Sequence, residues 1–210
     1  SFIDVSSLSP TNFVVAYSDA GRSNDGVAIT GTVSGGSLNW GLESTFYVEA
    51  RNIAITALSP TRFVVAYKDQ DNAGQGTALV GTASGDIVAW ETPSVFNTSV
   101  YNIAITGLSP TDFMVAYVHD GGISTPGMAV VGSASGGIVS WGAESVFNAD
   151  DTGTIAITSL SSTRFVIAYT DYEHPWGQGA AVIGLASDQS LRWGSESVFE
   201  SPNAEEMAIA

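Results

Sequence analysis

All-β structure built from tandem repeats is the fold class that this sequence predicts, and two observations predict it. Three aromatic positions recur at steps of 50 to 52 residues along the chain. They are Phe13, Phe63, Phe113 and Phe165; Trp40, Trp90, Trp141 and Trp193; and Phe46, Phe96, Phe147 and Phe199. No stretch of helical length shows the i, i+3, i+4, i+7 spacing of apolar residues that is typical of an amphipathic helix. A fixed period of this length indicates one supersecondary unit that is repeated four times.

Each repeat predicts four short strands, which are clearest in the second repeat. A proline turn follows the first strand, a polar glycine-containing loop follows the second, and a tight hairpin follows the third. The predicted strands are Ile53–Thr56, Phe63–Tyr67, Thr77–Gly81 and Ile87–Trp90, with Ser94–Phe96 as an extension beyond Pro93. Four strands in about 50 residues leave room only for short connections.

The second strand decides the architecture. Phe63, Val65 and Tyr67 point to one side of the sheet, and Val64 and Ala66 point to the other. Neither side is polar, so both faces of this strand are expected to be covered. A β-sandwich strand would alternate between apolar and polar residues. We therefore predict a β-propeller of about four four-stranded blades, with a linear stack of β units as the alternative.

The repeats divide the chain at approximately 1–50, 51–100, 101–152 and 153–204, within one repeat domain. Residues 205–210 begin a fifth first strand, because Met207–Ala210 matches the start of a repeat. This surplus strand is predicted to complete a blade from the opposite terminus, to pair with another copy, or to mark a longer repeat array.

Charge restricts the partners. The chain has 21 acidic and 6 basic residues, for a formal net charge of −15. This balance argues against nucleic acid and anionic lipid, which need a basic surface. There is no cysteine, which excludes disulfides, thiolate metal sites and a cysteine nucleophile. No stretch is long and apolar enough to predict membrane insertion.

The repeat carries a family resemblance. The segment IAITALSPTRFVVAYKDQDNAGQGTALVGTASGDIVAW resembles tandem propeller-type repeats of secreted microbial proteins, which implies a secreted, extracellular or cell-surface location and no particular activity. The acidic stretch from Asp69 to Gly74 resembles the calcium-binding blades of integrin-like proteins.

The loop after the second strand is the candidate metal site. An acidic residue stands near its start in every repeat, at Asp19, Asp69, Asp120 and Asp171. Oxygen-rich loops with glycine bends are what Ca²⁺ prefers, and the best single set is Asp69, Asp71 and Asn72. Because Asp and Asn also close turns through their own backbone, a purely structural role is the alternative. Calcium is the only cofactor that the sequence suggests.

The fourth repeat has the most distinctive loop, since it carries Tyr172, His174 and Trp176. An aromatic side chain on a polar loop can stack on a sugar, so these residues are the candidate glycan-binding site. The alternative is a loop whose tryptophan covers neighbouring apolar surface.

No catalytic motif appears. There is no phosphate loop, HExxH pattern or GxSxG elbow, and a glycosidase would rest only on chance pairs among many acids. We therefore predict that the protein is not an enzyme. The expected function is that of a non-catalytic extracellular interaction or structural module, self-assembling or part of a longer array. The alternative is a carbohydrate-binding lectin with repeated loop sites that depend on Ca²⁺.

Overall fold

A computed structural model describes residues 2–173 and 177–200, and Glu200 only by its backbone. These residues form β-strands and one short 3-10 helix, Ala20–Arg22. Each repeat makes one antiparallel sheet, which confirms the predicted all-β class. His174, Trp176 and the strand predicted at 207–210 lie outside the described residues.

The chain divides into two compact units. The first contains residues 1–98 and 134–140, and it includes sheets one and two. Sheet one consists of β1 (Ile3–Ser7), β2 (Asn12–Asp19), β3 (Asp25–Ser34), β4 (Ser37–Trp40) and β5 (Ser44–Tyr47). Sheet two consists of β6 (Ala50–Ala57), β7 (Arg62–Asp69), β8 (Gln75–Ser84), β9 (Ile87–Trp90) and β10 (Ser94–Asn97).

The second compact unit contains residues 99–133 and 141–210. Sheet three consists of β11 (Val100–Gly107), β12 (Asp112–His119), β13 (Gly127–Ser133), β14 (Ser140–Trp141) and β15 (Ser145–Asn148). Sheet four consists of β16 (Thr152–Ser161), β17 (Arg164–Asp171), β18 (Gln178–Ser187), β19 (Ser190–Trp193) and β20 (Ser197–Glu200).

Every sheet has five strands, one more than predicted, because the predicted fourth strand and its extension form two separate short strands. In sheet two, β9 and β10 both pair with β8, on either side of the break at Pro93. There is room for both because β8 spans ten residues, whereas the sequence predicted only Thr77–Gly81. The outer edge of each sheet is therefore two short strands rather than one long strand.

A glycine in each third strand holds a phenylalanine ring. Gly81 lies directly opposite Phe63 in the register and also opposite Trp90. The two rings pack edge to face with centroids 5.5 Å apart. A Cβ atom at Gly81 would stand 2.3 Å from the Phe63 ring. The same phenylalanine–glycine pairing occurs in the other sheets, at Gly31, Gly132 and Gly184. The missing side chain makes the space that the ring fills.

Sheets one and two pack face to face within the first compact unit. Phe46 of sheet one contacts Tyr67 and Trp90 of sheet two, with ring centroids 5.4 and 5.3 Å apart. The Trp90 indole N–H donates to the Ser44 hydroxyl at 2.9 Å. The Ala57 amide donates to the Ser6 hydroxyl, also at 2.9 Å. Aromatic packing at the outer strands and hydrogen bonds at the first strands thus fix the two sheets together.

Sheets three and four repeat this contact within the second compact unit. Phe147 contacts Tyr169 and Trp193, with ring centroids 5.1 and 5.8 Å apart. The Trp193 indole donates to the Ser145 hydroxyl at 2.9 Å, and the Ser159 amide donates to the Thr106 hydroxyl at 3.2 Å. The contact between consecutive sheets is therefore encoded by the repeat itself.

Among the residues that the structure describes, no helix is long and apolar enough to cross a membrane.

The phenylalanine–glycine packing makes a stability prediction. Gly81→Ala should lower the free energy of unfolding by about 1–3 kcal/mol, because the new methyl group displaces the Phe63 ring from a filled core. Thr82→Ala, one residue further along the same strand and half-buried, is the control and should change it by less than about 0.5 kcal/mol. Urea unfolding followed by tryptophan fluorescence measures both, and equal effects would contradict the packing argument.

Candidate functional site

Acidic residues at the ends of the second strands organise the loops that follow. Asp69 is buried, and its two carboxylate oxygens accept from the Asn72 backbone amide at 3.1 Å and from the Asn72 side-chain amide at 2.7 Å. Asp171 is also buried and accepts from Asn148, Gln178 and the Glu173 amide. Each of these carboxylates is therefore a hydrogen-bond acceptor that fixes its own loop.

Asp19 has the same role in the first repeat. It caps the 3-10 helix by accepting from the Gly21 amide at 2.9 Å, and it forms an ion pair with Arg22 at 2.6 Å. Among the described residues no group of three or more His, Cys, Asp or Glu side chains is placed to hold a metal ion. Asp71 is exposed. The calcium site at Asp69, Asp71 and Asn72 stays a prediction.

The third repeat differs from the others at the residue that ends the second strand. Strand pairing places His119 opposite Val100, whereas in the second repeat Asp69 lies opposite Ala50. His119 therefore stands at the position of Asp19, Asp69 and Asp171, and Asp120 is one residue later. The third loop lacks the acid that organises the other three.

Tyr172 is the described member of the predicted glycan-binding loop. Its side chain is exposed, and its backbone amide donates to Asp151 at 2.9 Å. Its ring lies against Gly153 and Gly177, where an added Cβ would approach the ring to 2.6 and 2.9 Å. His174 and Trp176 follow Tyr172 closely in the sequence. The glycan-binding site at these three residues stays a prediction.

A tyrosine–glutamate hydrogen bond recurs close to these loops, and the sequence did not predict it. The Tyr17 hydroxyl donates to Glu43 at 2.7 Å. Tyr117 donates to Glu144, and Tyr169 donates to Glu196. Glutamate stands three residues after Trp40, Trp141 and Trp193, but only strand register reveals that it reaches the tyrosine at the end of the second strand.

Arg22 makes the first of these pairs a charged cluster. Its guanidinium contacts Glu43 at 2.5 Å as well as Asp19. The hydrogen bond from Tyr17, and then that from Arg22, hold the pKa of Glu43 below its usual range. Arg22, followed by the Gly21 amide, lowers the pKa of Asp19. Burial, followed by the hydrogen bond to Glu43, raises the pKa of Tyr17 to about 12. Both carboxyl groups therefore stay ionised at neutral pH.

The second repeat has lost this hydrogen bond. Pro93 stands where the other repeats have glutamate, and the buried Tyr67 hydroxyl has no hydrogen-bond partner in the described protein. The Thr77 hydroxyl, on the residue directly opposite Tyr67 in the register, also lacks one. Burial, followed by the charge of Asp69, raises the pKa of Tyr67. Pro93 thus leaves the buried hydroxyl of Tyr67 without a protein partner.

A cavity lies at the other end of sheets three and four. Its volume is about 340 Å³. Leu108, Val131 and Ala186 supply apolar surface, and hydroxyl, carboxyl and amide groups complete the lining. The polar residues are Asp112, Ser162, Thr163, Ser187, Asp188 and Gln189. An apolar surface with a few polar groups around it is the usual composition of a small-molecule site.

A smaller cavity of about 110 Å³ lies at the equivalent place between sheets one and two. Leu8, Asn12, Thr61 and Ala83 line it, and in the repeat they correspond to Leu108, Asp112, Thr163 and Ala186. The cavity therefore recurs with the repeat, although nothing in the sequence marked it, because its residues are far apart in each repeat.

A hydrogen bond crosses the smaller of the two cavities. Across the smaller cavity, between sheets one and two, the Thr30 hydroxyl donates to the Gly85 carbonyl at 3.3 Å. Val131 occupies the position of Thr30 in the third repeat and has no hydroxyl to donate. The larger cavity, between sheets three and four, therefore lacks this hydrogen bond.

A serine turn fixes one wall of the larger cavity, between sheets three and four. The Ser109 hydroxyl accepts from the Thr111 and Asp112 amides at 3.2 and 2.9 Å and donates to the Asp112 carboxylate at 2.8 Å. The same serine turn precedes the second strand in every repeat, at Ser9, Ser59 and Ser161. The residue that ends this turn differs among repeats: it is Asn12, Arg62, Asp112 or Arg164. At this position the larger cavity is lined by the acidic Asp112 and the smaller cavity by the neutral Asn12.

The hydroxyl of Tyr67 gives a stability prediction. Tyr67→Phe should leave the free energy of unfolding unchanged or raise it, because it removes a buried hydroxyl that has no protein partner. Tyr169→Phe is the matched variant and should lower it by about 1–2 kcal/mol, because it breaks the bond to Glu196. Chemical unfolding of the two variants decides, and an equal loss in both would contradict the assignment.

The raised tyrosine pKa values give a pH prediction. Burial, with a glutamate partner for two of them, raises the pKa of Tyr17, Tyr67 and Tyr169 above the ordinary value of 10.0. The folded protein thus keeps phenolic protons that the unfolded chain releases, so stability is complete below pH 10 and falls above it. The contribution of Tyr17 is lost by about pH 12. Urea unfolding at several pH values between 9 and 11 measures this, and a rise in stability above pH 10 would contradict it.

The chain is similar to solved structures of the Aleuria aurantia lectin AAL. A variant of that lectin in complex with Fucα1-6GlcNAc matches with a TM-score of 0.62 and 14% identity, over 97% of this chain and 64% of the lectin chain. The variant in complex with α-methyl-L-fucoside matches with a TM-score of 0.59 and 12% identity, over 98% of this chain and 64% of the lectin chain. This chain therefore spans less than two thirds of the length of the lectin.

No protein-family model matches the sequence, and no curated protein matches it. The resemblance of the Asp69 loop to calcium-binding integrin-like blades is not supported by the structures that match, and it stays a prediction. At 12–14% identity the likeness to the lectin is a likeness of fold. It confirms the predicted β-propeller architecture, with four antiparallel sheets as its blades.

Proposed function

We propose that this protein is a non-catalytic carbohydrate-binding module of the β-propeller class, and that the cavity between sheets three and four binds a monosaccharide unit. The observation that carries the proposal is the recurrence of this cavity at the same place in both compact units. The fold that it shares with a lectin solved with fucosides supports the proposal.

The lining of the cavity suits a sugar. A pyranose presents apolar C–H surface and hydroxyl groups that both donate and accept hydrogen bonds. Leu108, Val131 and Ala186 offer the apolar contact. Asp112 accepts hydrogen bonds, while Ser162 and Thr163 can donate or accept. The volume of about 340 Å³ is at the lower end of the range of about 300–1,000 Å³ for ligand pockets, which favours a single sugar unit.

This order of functions reverses the one that the sequence favoured. The sequence placed a structural module first and a lectin second, because fold by itself does not show a binding cavity. The cavity and the fold likeness support the lectin alternative more than the structural one. Extracellular location and Ca²⁺ dependence belong to this proposal as predictions.

The charged cluster of the first repeat does not suit glycosidase chemistry. A glycosidase needs a carboxylic acid that stays protonated near neutral pH, which requires a raised pKa. The pKa values of Asp19 and Glu43 are lowered by Arg22 and Tyr17. These two carboxylates are therefore poor general acids, which supports a binding function.

Glycan binding tests the proposal. Isothermal titration with α-methyl-L-fucoside and Fucα1-6GlcNAc, followed by a glycan array, should identify a bound sugar. Asp112→Ala and Ala186→Phe should each weaken binding at least tenfold, the first by removing an acceptor and the second by filling the cavity. Asn12→Ala, at the same position beside the smaller cavity, is the matched control and should leave binding unchanged.

Two further arms separate the alternatives. Loss of binding in Trp176→Ala, with full binding in Ala186→Phe, would move the site to the loop of the fourth repeat. Loss of binding on adding a chelator would establish the predicted Ca²⁺ dependence. Failure to bind any glycan on the array would contradict the proposed function.

A further inference from the structure

The first sheet exposes a face that the later sheets bury. In sheet two, Ile53 and Ile55 of the first strand are buried, and Ile53 is 6% exposed. The residues at these positions in sheet one are Ile3 and Val5, and Ile3 is 71% exposed. Trp40, which corresponds to the partly buried Trp90, is also exposed. Sheet one therefore offers to solvent the surface by which sheet two packs on its predecessor.

The fourth sheet exposes the complementary surface. Phe46, which sheet one inserts between Tyr67 and Trp90, is only 8% exposed. The same position in sheet four is Phe199, and it is 57% exposed. Ile183 corresponds to the buried Val131 and is exposed as well. Sheet four therefore exposes a phenylalanine side chain. In the internal contacts this side chain packs between a tyrosine and a tryptophan of the next sheet.

We propose that the fourth sheet of one copy of this chain packs against the first sheet of a second copy, and that this contact reproduces the one between consecutive sheets within a chain. In it, Phe199 enters between Tyr17 and Trp40 of the second copy. The two internal contacts serve as templates, since Phe46 and Phe147 make the same insertion.

The polar groups that the two internal contacts share are also present on the two exposed faces. The indoles of the partly buried Trp90 and Trp193 each donate to a serine of the preceding sheet. Ser197 holds this serine position in sheet four, so the Trp40 indole of the second copy has its acceptor. At the first strands, the Ser7 amide takes the place of the Ala57 amide, and the Thr158 hydroxyl takes the place of its acceptor, Ser6.

Charge favours this face over others. A chain with a net charge of −15 repels its copies. Arg164 and Arg192 are both exposed, and both lie opposite Leu185 on the face of sheet four that carries Ile183. They are two of the six basic residues of the chain. They lower the repulsion where two acidic copies meet.

The contact joins two different surfaces, so it is head-to-tail. After a single contact the pair of copies still has one free face of each kind, so association continues until a ring closes or a filament forms. This mode does not use residues 207–210, which the sequence suggested as the pairing strand.

Sedimentation velocity of the full chain, from low to high micromolar concentration, tests the proposal. The wild type should form oligomers as concentration rises. Val5→Glu on the first sheet and Phe199→Glu on the fourth sheet should each give a monomer over the whole range. Ile123→Glu changes a fully exposed apolar residue elsewhere, and it should associate as the wild type does. Circular dichroism and thermal unfolding confirm that each variant is folded.

Mixing the two monomeric variants is the decisive arm. Val5→Glu retains an intact fourth sheet and Phe199→Glu retains an intact first sheet, so an equimolar mixture should form a 1:1 dimer and nothing larger. A monomeric wild type would overturn the proposal, including by closure of the two faces within one chain. A mixture that stays monomeric, or variants that associate normally, would also overturn it.

Discussion

The insertion of one phenylalanine into the aromatic pair of the next sheet is the contact on which the rest of the structure depends. Phe46 does this in the first compact unit and Phe147 in the second. Aromatic pairs with centroids 4.5–7 Å apart add stability beyond the area they bury. Because the contact is formed between repeats and not within one, a single repeat cannot complete it. The two cavities lie between consecutive sheets, so their shape depends on this contact.

Much of the fold could be predicted from the sequence, because its strongest signal is local. The aromatic period, Pro60 and the hairpin at Ser84 locate strands without any knowledge of their partners. Division of the outer edge was harder to predict, since Ser94–Asn97 reads as a continuation of the fourth strand until its pairing with Gln75–Ser84 is known. Hydrogen bonds to a neighbouring strand are not written in the sequence of either strand.

The candidate site was much less predictable. The cavity between sheets three and four joins Leu108, Asp112, Val131, Thr163 and Ala186, which lie in separate strands and turns of two repeats. No spacing rule brings them together. The tyrosine–glutamate bond joins residues 26 or 27 positions apart, and it too appears only with the register. Asp69 and Asp171, which the sequence predicts as metal ligands, accept hydrogen bonds from amides of their own loops, and these bonds too depend on a loop conformation that the sequence does not give.

The four repeats have diverged at positions that the shared core does not constrain. Pro93 replaces a glutamate and leaves Tyr67 without its partner. The residue that ends the serine turn changes from Asn12 to Arg62, Asp112 and Arg164, although the turn itself is retained. Stability therefore resides in the invariant aromatic and glycine positions, and chemical variety resides at the rim.

If copies of the chain join head to tail as proposed, one assembly carries several copies of the cavity between sheets three and four, and this has a consequence for retention at a surface. A weak receptor for one sugar dissociates quickly, but a second receptor on the same assembly rebinds a neighbouring sugar before the first is replaced. With millimolar effective concentration, such linkage raises overall avidity by roughly 10²–10⁴ without any new contact. Residence time on a dense glycan layer would then be set by the number of working clefts more than by the strength of each.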